Sequence, residues 1–225
     1  MSSLEVKVWA DYACFTRPEF GAERVSYPVM TPSAARGVLE AIFWKPEFRW
    51  MVREIQVLQD IRHFSIVRNE INSWQSPSSA KSNDYRYFAD DDRAQRHTLG
   101  LRNVAYLIKA DIELKPHANA HIAKYRDQFR RRVKKGQCHH QPYLGTREFS
   151  AFFSEPDPAS DQPIAHTDEL GLMLLDMEFT ATDDAPTLTY LTHDGSGAQV
   201  TKGKAQPKFF RAHLDHGVLR IPKYD

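Results

Sequence analysis

A dense run of positive charge is the part of this sequence whose chemistry is easiest to read. Residues 124–135 contain seven cationic side chains and one acid, Asp127, although the formal net charge of the whole chain is only +1. The cations are Lys124, Arg126, Arg130, Arg131, Arg132, Lys134 and Lys135. Side chains of this type bind phosphates, because they neutralise the charge of a nucleic-acid backbone. A run of this kind is also typical of a solvated helix face, and composition leaves both interpretations open.

Histidines near this run offer a second chemistry. His117 and His121 have the i,i+4 spacing with which two imidazoles on a helix can share a zinc ion, and His139 with His140 could complete the ligand set. The chain has no HExxH motif, however, and no further ligand stands at a spacing typical of zinc. We therefore predict no metal and no cofactor.

The cationic side chains must be positioned by a helix. Ile122, Tyr125, Phe129 and Val133 follow one another at offsets of three, seven and eleven, which is the spacing of one apolar helix face. This pattern predicts a helix that packs its apolar face on a core and displays its arginines.

The remaining elements predict an α+β fold. Alternating residues near 6–10 indicate a first strand, and Thr31 followed by Pro32 is typical of a helix start. Further strands are predicted over 50–58, 64–71, 101–114, 148–153 and 170–179. An antiparallel sheet with helices on one face follows, and we interpret it as a ferredoxin-like sandwich.

Composition excludes several classes of protein. The chain has 225 residues, 41% of them hydrophobic, which suits an ordinary packed core. It has no apolar stretch of membrane-spanning length, and the residues at its start do not resemble a secretion leader, so we expect a cytoplasmic protein. Its two cysteines, Cys14 and Cys138, are expected to be reduced. The absence of a P-loop or GxGxxG motif argues against nucleotide-dependent chemistry.

Charge divides the chain into two parts. Residues 155–201 contain ten acids and neither Lys nor Arg. A polyanion should be attracted to the first part and repelled by the second. The acids either keep a β-rich region soluble or form a surface for another protein.

Long segments of the chain resemble one known family. DYACFTRPEF, RVSYPVMTPSAARGVLEAIFWKP, VLQDIRHFSIVRNEI, TLGLRNVAYLIKADIEL, FRRRVKKGQCHHQPYLGTREF and LGLMLLDMEF occur in that order. Together they resemble the subtype I-C (Dvulg) members of the fifth CRISPR-associated protein family, within the RAMP superfamily. The resemblance implies a ferredoxin-like, RRM-related domain over 1–153 with a polar insertion at about 72–98. It also implies a small antiparallel β domain over 154–225.

The resemblance implies an activity and partners. Such proteins are metal-independent endoribonucleases that cut the repeat hairpins of CRISPR precursor RNA, leave a 2′,3′-cyclic phosphate, and stay on the 5′ handle of the crRNA within the type I-C interference complex. Backbone and large subunits of that complex are the expected protein partners, and the insertion, with its acidic residues 90–92, is expected to contact a neighbouring subunit. Double-stranded DNA is a possible further ligand. A non-catalytic, handle-binding subunit is the alternative interpretation.

The catalytic residues of the family carry over only in part. Its catalytic Tyr falls on Phe43, which has no hydroxyl, and its Lys-His pair falls on Lys124 and Tyr125. Cleavage of this kind needs a base, a proton donor and a group that stabilises the charge of the phosphorane. We hypothesise that Lys124 stabilises this charge and that Tyr125 or His121 transfers a proton. His121 precedes Tyr125 by four residues, which is the spacing of neighbours on one helix face.

Recognition of RNA hairpins uses cations and exposed aromatic rings. The predicted RNA-binding residues are Arg24, Arg36, Lys45, Arg126, Arg130, Arg131, Lys134, Lys135 and Arg147. Arg147 belongs to LGTREF, where the family suggests a glycine-containing loop that faces RNA, here with Gly145 as its one glycine. Among the aromatic residues, Trp9 and Trp44 are expected to be buried.

Overall fold

The structure is a computed structural model and describes residues 3–73, 76–78, 81 and 85–223. The helices are α1 (Pro32–Ile42) and α2 (Ile122–Lys134). The strands are β1 (Leu4–Ala13), β2 (Arg24–Val25), β3 (Phe48–Val57), β4 (His63–Ile71), β5 (Arg93–Leu114), β6 (Phe152–Ser154), β7 (Asp168–Ala181), β8 (Leu188–Asp194), β9 (Gly197–Asp215) and β10 (Val218–Arg220). Within the described ranges, no helix is both long enough and apolar enough to cross a membrane.

A ferredoxin-like unit forms the first part of the fold. Its strands lie in the order β6-β1-β5-β3, and each neighbouring pair is antiparallel. Along the chain these strands alternate with the helices as β1-α1-β3-β5-α2-β6, which is the β-α-β-β-α-β arrangement of the ferredoxin-like fold. The prediction of an α+β fold with an antiparallel sheet is confirmed.

The later strands extend this sheet. β10 pairs with β3, placing Leu219 opposite Ile55, and β9 and β7 follow outward, with β8 paired to β9. The described strands thus form one ten-stranded sheet. The division into two domains at residue 153 stays a prediction.

A long hairpin leaves the core through β4 and β5. The second half of β5 pairs with β1 and β3, whereas its first half pairs with β4. Because β5 begins at Arg93, the last residues of the predicted polar insertion belong to a strand. Residues 74, 75, 79, 80 and 82–84 of that insertion lie outside the described residues. Asp92 accepts hydrogen bonds from the Ser73 backbone at 3.0 Å and the Tyr87 hydroxyl at 2.9 Å. This acid therefore closes the hairpin.

Both helices form where the sequence pattern predicts them. The Thr31 side chain caps α1 by accepting from the backbone N–H of Ala34 at 3.3 Å, and Pro32 occupies the first helical position. In α2 the predicted apolar face packs on the core, with Ile122 partly buried and the other three residues buried, and the Phe129 ring lies 4.8 Å from that of Trp50. α1 and α2 pack on the sheet and on each other, so their positions fix the site described next.

Candidate functional site

Helix α2 displays most of its cations. Five of the cations in and directly after the helix are exposed: Lys124, Arg130, Arg131, Lys134 and Lys135. Arg126 is only 7% exposed, so the expectation that every arginine of the helix is displayed is wrong for this residue. It lies next to Tyr125 on the edge of the buried face, and packing there takes precedence over solvation of its charge. The five exposed cations form a positive ridge along the helix, which we call the α2 ridge.

Arg132 connects the two helices. Its Nη1 donates to the carbonyl oxygen of Ile42 at 2.6 Å, and its guanidinium lies over the Phe43 ring, 5.3 Å from the centroid. The last carbonyls of a helix have no partner within the helix and favour a cation. Arg132 therefore fixes the end of α1 on α2.

The two positions that match the family's catalytic ring residues are both buried. Phe43 is inaccessible and packs on Phe48, with 5.4 Å between ring centroids. Tyr125 is 4% exposed and lies 5.3 Å from the same Phe48 ring. Burial and, to a smaller extent, the nearby Glu47 raise the pKa of Tyr125. This geometry argues against the predicted proton transfer by Tyr125, because a buried phenol neither reaches a phosphate nor ionises easily.

His121 lies just outside α2 and caps it. Its Nδ1 accepts from the backbone N–H of Ala123 at 3.2 Å. A neutral imidazole that accepts through Nδ1 carries its proton on Nε2, so Nε2 can donate a hydrogen bond but cannot accept a proton. His121 and the exposed Lys124 therefore form a pair of donors at the start of α2, and the predicted role of His121 as a base conflicts with its role as a cap.

The possible zinc set does not come together. His117 lies in the turn before α2, next to Gly195, whereas the backbones of His139 and His140 are bound to Ala41 in α1. Among the described residues, no group of three or more His, Cys, Asp or Glu side chains is arranged to hold a metal ion.

In addition to the exposed Arg130, which contacts Asp127 at 3.4 Å, two partly buried arginines of the predicted RNA-binding set are held in ion pairs. Arg24 bonds Glu148 at 3.0 Å, and Arg36 makes two bonds to Asp176, at 2.7 and 2.9 Å. Burial lowers the pKa of Arg36, but the hydrogen bonds to Asp176 and the proximity of Glu40 outweigh this effect and leave it raised. Much of the charge of these arginines is thus neutralised within the protein. Lys45 and Arg147, in contrast, are exposed.

A groove runs along the outer face of α1, and we call it the α1 groove. Its volume is about 800 Å³. Its lining consists of Gly37, Glu40, Ala41, Trp44, His139, His140, Gln141, Tyr143, Arg147 and Ser150. Trp44 is 41% exposed, so the expectation of its burial is wrong. Of the predicted RNA-binding residues, only Arg147 belongs to this lining, whereas the sequence patterns did not single out Tyr143 or its grouping with the two histidines.

The spacing of the α1 residues explains the groove. Gly37 and Ala41 are separated by four residues and belong to one face of α1, and Trp44 follows just after the end of the helix at Ile42. Gly37 and Ala41 have almost no side chain and so leave space beside the helix. The backbone N–H groups of His139 and His140 donate to the Ala41 carbonyl oxygen at 2.8 and 3.1 Å, which fixes the opposite wall.

Gly145 supports the loop that forms this wall. Its φ is +87°, and a Cβ at this position would overlap the carbonyl oxygen of Cys14. The backbone N–H of Cys14 also donates to the carbonyl of Leu144 at 3.1 Å. Only glycine therefore allows the loop to pack this closely on the end of β1. Backbone packing therefore explains why this position is glycine. Arg147 is the residue of LGTREF that the loop presents to the groove.

Comparison with known families decides the ancestry of this architecture. The Cas_Cas5d family model, described as CRISPR-associated protein (Cas_Cas5), matches residues 3–222. The chain belongs to this family.

Curated relatives match along nearly their whole length. The "CRISPR pre-crRNA endoribonuclease Cas5d" of Thermus thermophilus is 50% identical over 222 residues, which is 99% of this chain and 92% of that protein. The protein of the same name from Mannheimia succiniciproducens is 38% identical over 236 residues, covering 98% of this chain and 95% of that protein.

Solved structures share the fold. A protein titled "Crystal Structure of CRISPR-associated Protein" superposes with a TM-score of 0.62 at 20% identity, covering 99% of this chain and 93% of that one. The functionally uncharacterized protein SMU1763c from Streptococcus mutans gives a TM-score of 0.63 at 18% identity, covering 98% of this chain and 92% of that one. At these identities the superpositions establish the fold alone.

Proposed function

We propose that this Cas5-family protein is a metal-independent endoribonuclease that cleaves CRISPR repeat hairpins in precursor RNA and then stays on the 5′ handle of the crRNA. The observation that carries the proposal is 50% identity, along 99% of the chain, to a protein named as a pre-crRNA endoribonuclease. The displayed cations of α2 support it, because they offer a hairpin the phosphate contacts that RNA recognition requires.

The chemistry is a transesterification within the RNA. The 2′-oxygen attacks the neighbouring phosphorus, the bond to the 5′-oxygen breaks, and the products end in a 2′,3′-cyclic phosphate and a 5′-hydroxyl. Negative charge grows on the phosphorane between these steps, and a fixed cation near it lowers the barrier. Lys124 suits this role because it is exposed in the first turn of α2, where the helix dipole adds positive potential. His121 can donate a hydrogen bond through Nε2.

A cleavage assay on a labelled repeat hairpin in excess EDTA tests this assignment. We expect Lys124→Ala to lower the single-turnover rate about 100-fold with little change in affinity, which is the usual effect of losing one donor to a transition-state oxyanion. Lys208→Ala is the matched control, because this lysine lies on β9 and pairs with Glu178. Unchanged cleavage in Lys124→Ala would remove that residue from the mechanism, and loss of wild-type cleavage in EDTA would contradict a metal-independent reaction.

One observation favours a second candidate function, that of a non-catalytic subunit that only holds the handle. Phe43 and Tyr125 occupy the positions of two family catalytic residues, and both are buried. In this case the wild-type protein binds the hairpin selectively but leaves it intact. General affinity for RNA or double-stranded DNA would fall steeply with salt in either case.

We also infer docking to other subunits of a type I-C interference complex in the cytoplasm. Leu191 of β8 and Val200 of β9 lie directly opposite each other and are 61% and 75% exposed. Exposed apolar side chains side by side support contact with another protein. Both cysteines are free thiols, which suits a reducing compartment.

A further inference from the structure

The α1 groove brings together exposed groups that suit acid–base chemistry. Building on the proposed RNA cleavage, we propose that the α1 groove is the site of reaction: the imidazoles of His139 and His140 act as general base, the Tyr143 hydroxyl acts as general acid, and the Arg147 guanidinium binds the phosphorane oxygens. Lys124 keeps the phosphorane role proposed above and acts together with Arg147, while the other cations of the α2 ridge hold the flanking RNA phosphates.

The groove side chains are accessible to a substrate. His139, His140, Tyr143 and Arg147 are exposed and line one groove of about 800 Å³, which is within the size range of small-molecule sites and can admit a nucleotide. Tyr125, in contrast, is buried in the core. A phosphodiester can therefore reach the groove side chains without any rearrangement of the core.

The imidazoles and Tyr143 occupy different positions along α1. The two imidazole rings lie 4.2 Å apart and are held at the level of Ala41. Tyr143 also lines an adjoining cavity of about 290 Å³ together with Gly37 and Thr31, which places it nearer the start of α1. Gly37 and Ala41 are one helical turn apart, about 6 Å at the rise of an α-helix. In-line displacement needs its base and acid on opposite sides of the phosphorus, and the proposal places the imidazoles on the Ala41 side of the groove and the Tyr143 hydroxyl on the Gly37 side.

The two rings are too close together to serve both sides, so they act from one. An imidazole nitrogen takes the proton of the 2′-hydroxyl as the 2′-oxygen forms its bond to phosphorus. The bond from phosphorus to the 5′-oxygen breaks, and that oxygen takes the proton of the Tyr143 hydroxyl. Water then carries a proton from the imidazolium back to the tyrosinate. Arg147 contributes paired N–H donors, whose geometry suits phosphate oxygens.

The other groups in the groove are compatible with an anionic substrate. The Glu40 carboxylate accepts a hydrogen bond from Arg36 at 2.9 Å, so its charge is partly neutralised. Trp44 lies just past the C-terminal end of α1, and its ring makes an edge contact with the His193 ring at 5.2 Å between centroids. The ring is exposed and can stack on a base. Gln141 donates to the Ala151 carbonyl oxygen at 2.7 Å and so holds the histidine loop in place.

Single-turnover cleavage of a labelled repeat hairpin at saturating protein, in EDTA, tests the proposal. We expect His139→Ala/His140→Ala to cleave at least about 100-fold more slowly than wild type, and Tyr143→Phe at least about 10-fold, with hairpin affinity within about threefold. Added imidazole should restore part of the rate of the double variant, since a small base can enter the vacated space. His213→Ala is the control, because this exposed histidine lies on β9 and pairs with Glu169.

The outcomes separate this inference from the proposed function. If wild-type protein does not cleave the hairpin, the proposed function fails. If wild-type protein cleaves and the double variant cleaves at the same rate, the groove is not the site of reaction. A double variant that binds more weakly but cleaves at the wild-type rate when saturated also overturns the catalytic role. His139→Gln/His140→Gln, with a thermal melt for each variant, distinguishes loss of the imidazoles from loss of the fold.

Discussion

Replacing Arg132 with alanine should destabilise the protein although the residue belongs to a cationic run. Its guanidinium donates to the Ile42 carbonyl at 2.6 Å and lies over the Phe43 ring. A hydrogen bond from a charged group contributes about 1.5–3 kcal/mol, and a partly buried cation–π contact about 0.5–1 kcal/mol more. We therefore expect Arg132→Ala to lower the free energy of unfolding by about 2–4 kcal/mol.

Urea denaturation followed by tryptophan fluorescence measures this change, and Arg131 provides the matched control. Arg131 is the neighbour of Arg132 on α2 but is exposed. Arg131→Ala should leave the urea midpoint nearly unchanged and should reduce the slope of log affinity against log salt by about 1, because one phosphate contact is lost. Equal midpoints for Arg132→Ala and wild type would refute the inference that this arginine joins the helices.

Three further substitutions test the site and its support. Gly145→Ala should lower stability by at least about 2 kcal/mol, because it places a Cβ against Cys14 at positive φ; an unchanged melting temperature would contradict this. Tyr125→Phe should cleave within about twofold of wild type, because the ring serves packing; a loss of 10-fold or more would restore its catalytic role. Arg36→Ala should cost about 1–3 kcal/mol by leaving Asp176 without its ion pair, and a change in RNA affinity with no change in melting temperature would disprove that reason.

The sequence predicts both helices and the strands of the ferredoxin-like unit because each carries a local signal, whereas β2, β8 and β9 were not predicted. The apolar spacing of α2 and the Thr31 cap of α1 depend on nearby residues alone, and both helices form as expected. Whether an individual arginine is exposed or buried does not follow from its spacing in the sequence. Arg126 and Arg132 differ from Arg131 only through what α2 packs against, which is a property of the tertiary structure.

In the candidate site, too, residue types can be predicted from the sequence but tertiary contacts cannot. The sequence identifies Lys124 as an exposed cation, and it reveals that Phe43 has no hydroxyl, since both depend on residue type. The α1 groove forms only when the outer face of α1 meets residues 139–150, which are about a hundred positions away in the chain. Small residues at Gly37 and Ala41 were the one local sign of a groove beside this helix.

The most direct test of the central claim is end-group analysis of a cognate repeat hairpin incubated with wild-type protein in excess EDTA. We predict a single cut that leaves a 2′,3′-cyclic phosphate on one fragment and a 5′-hydroxyl on the other. An intact hairpin that is nevertheless bound tightly, or a cut that appears only when a divalent metal is restored, would contradict it.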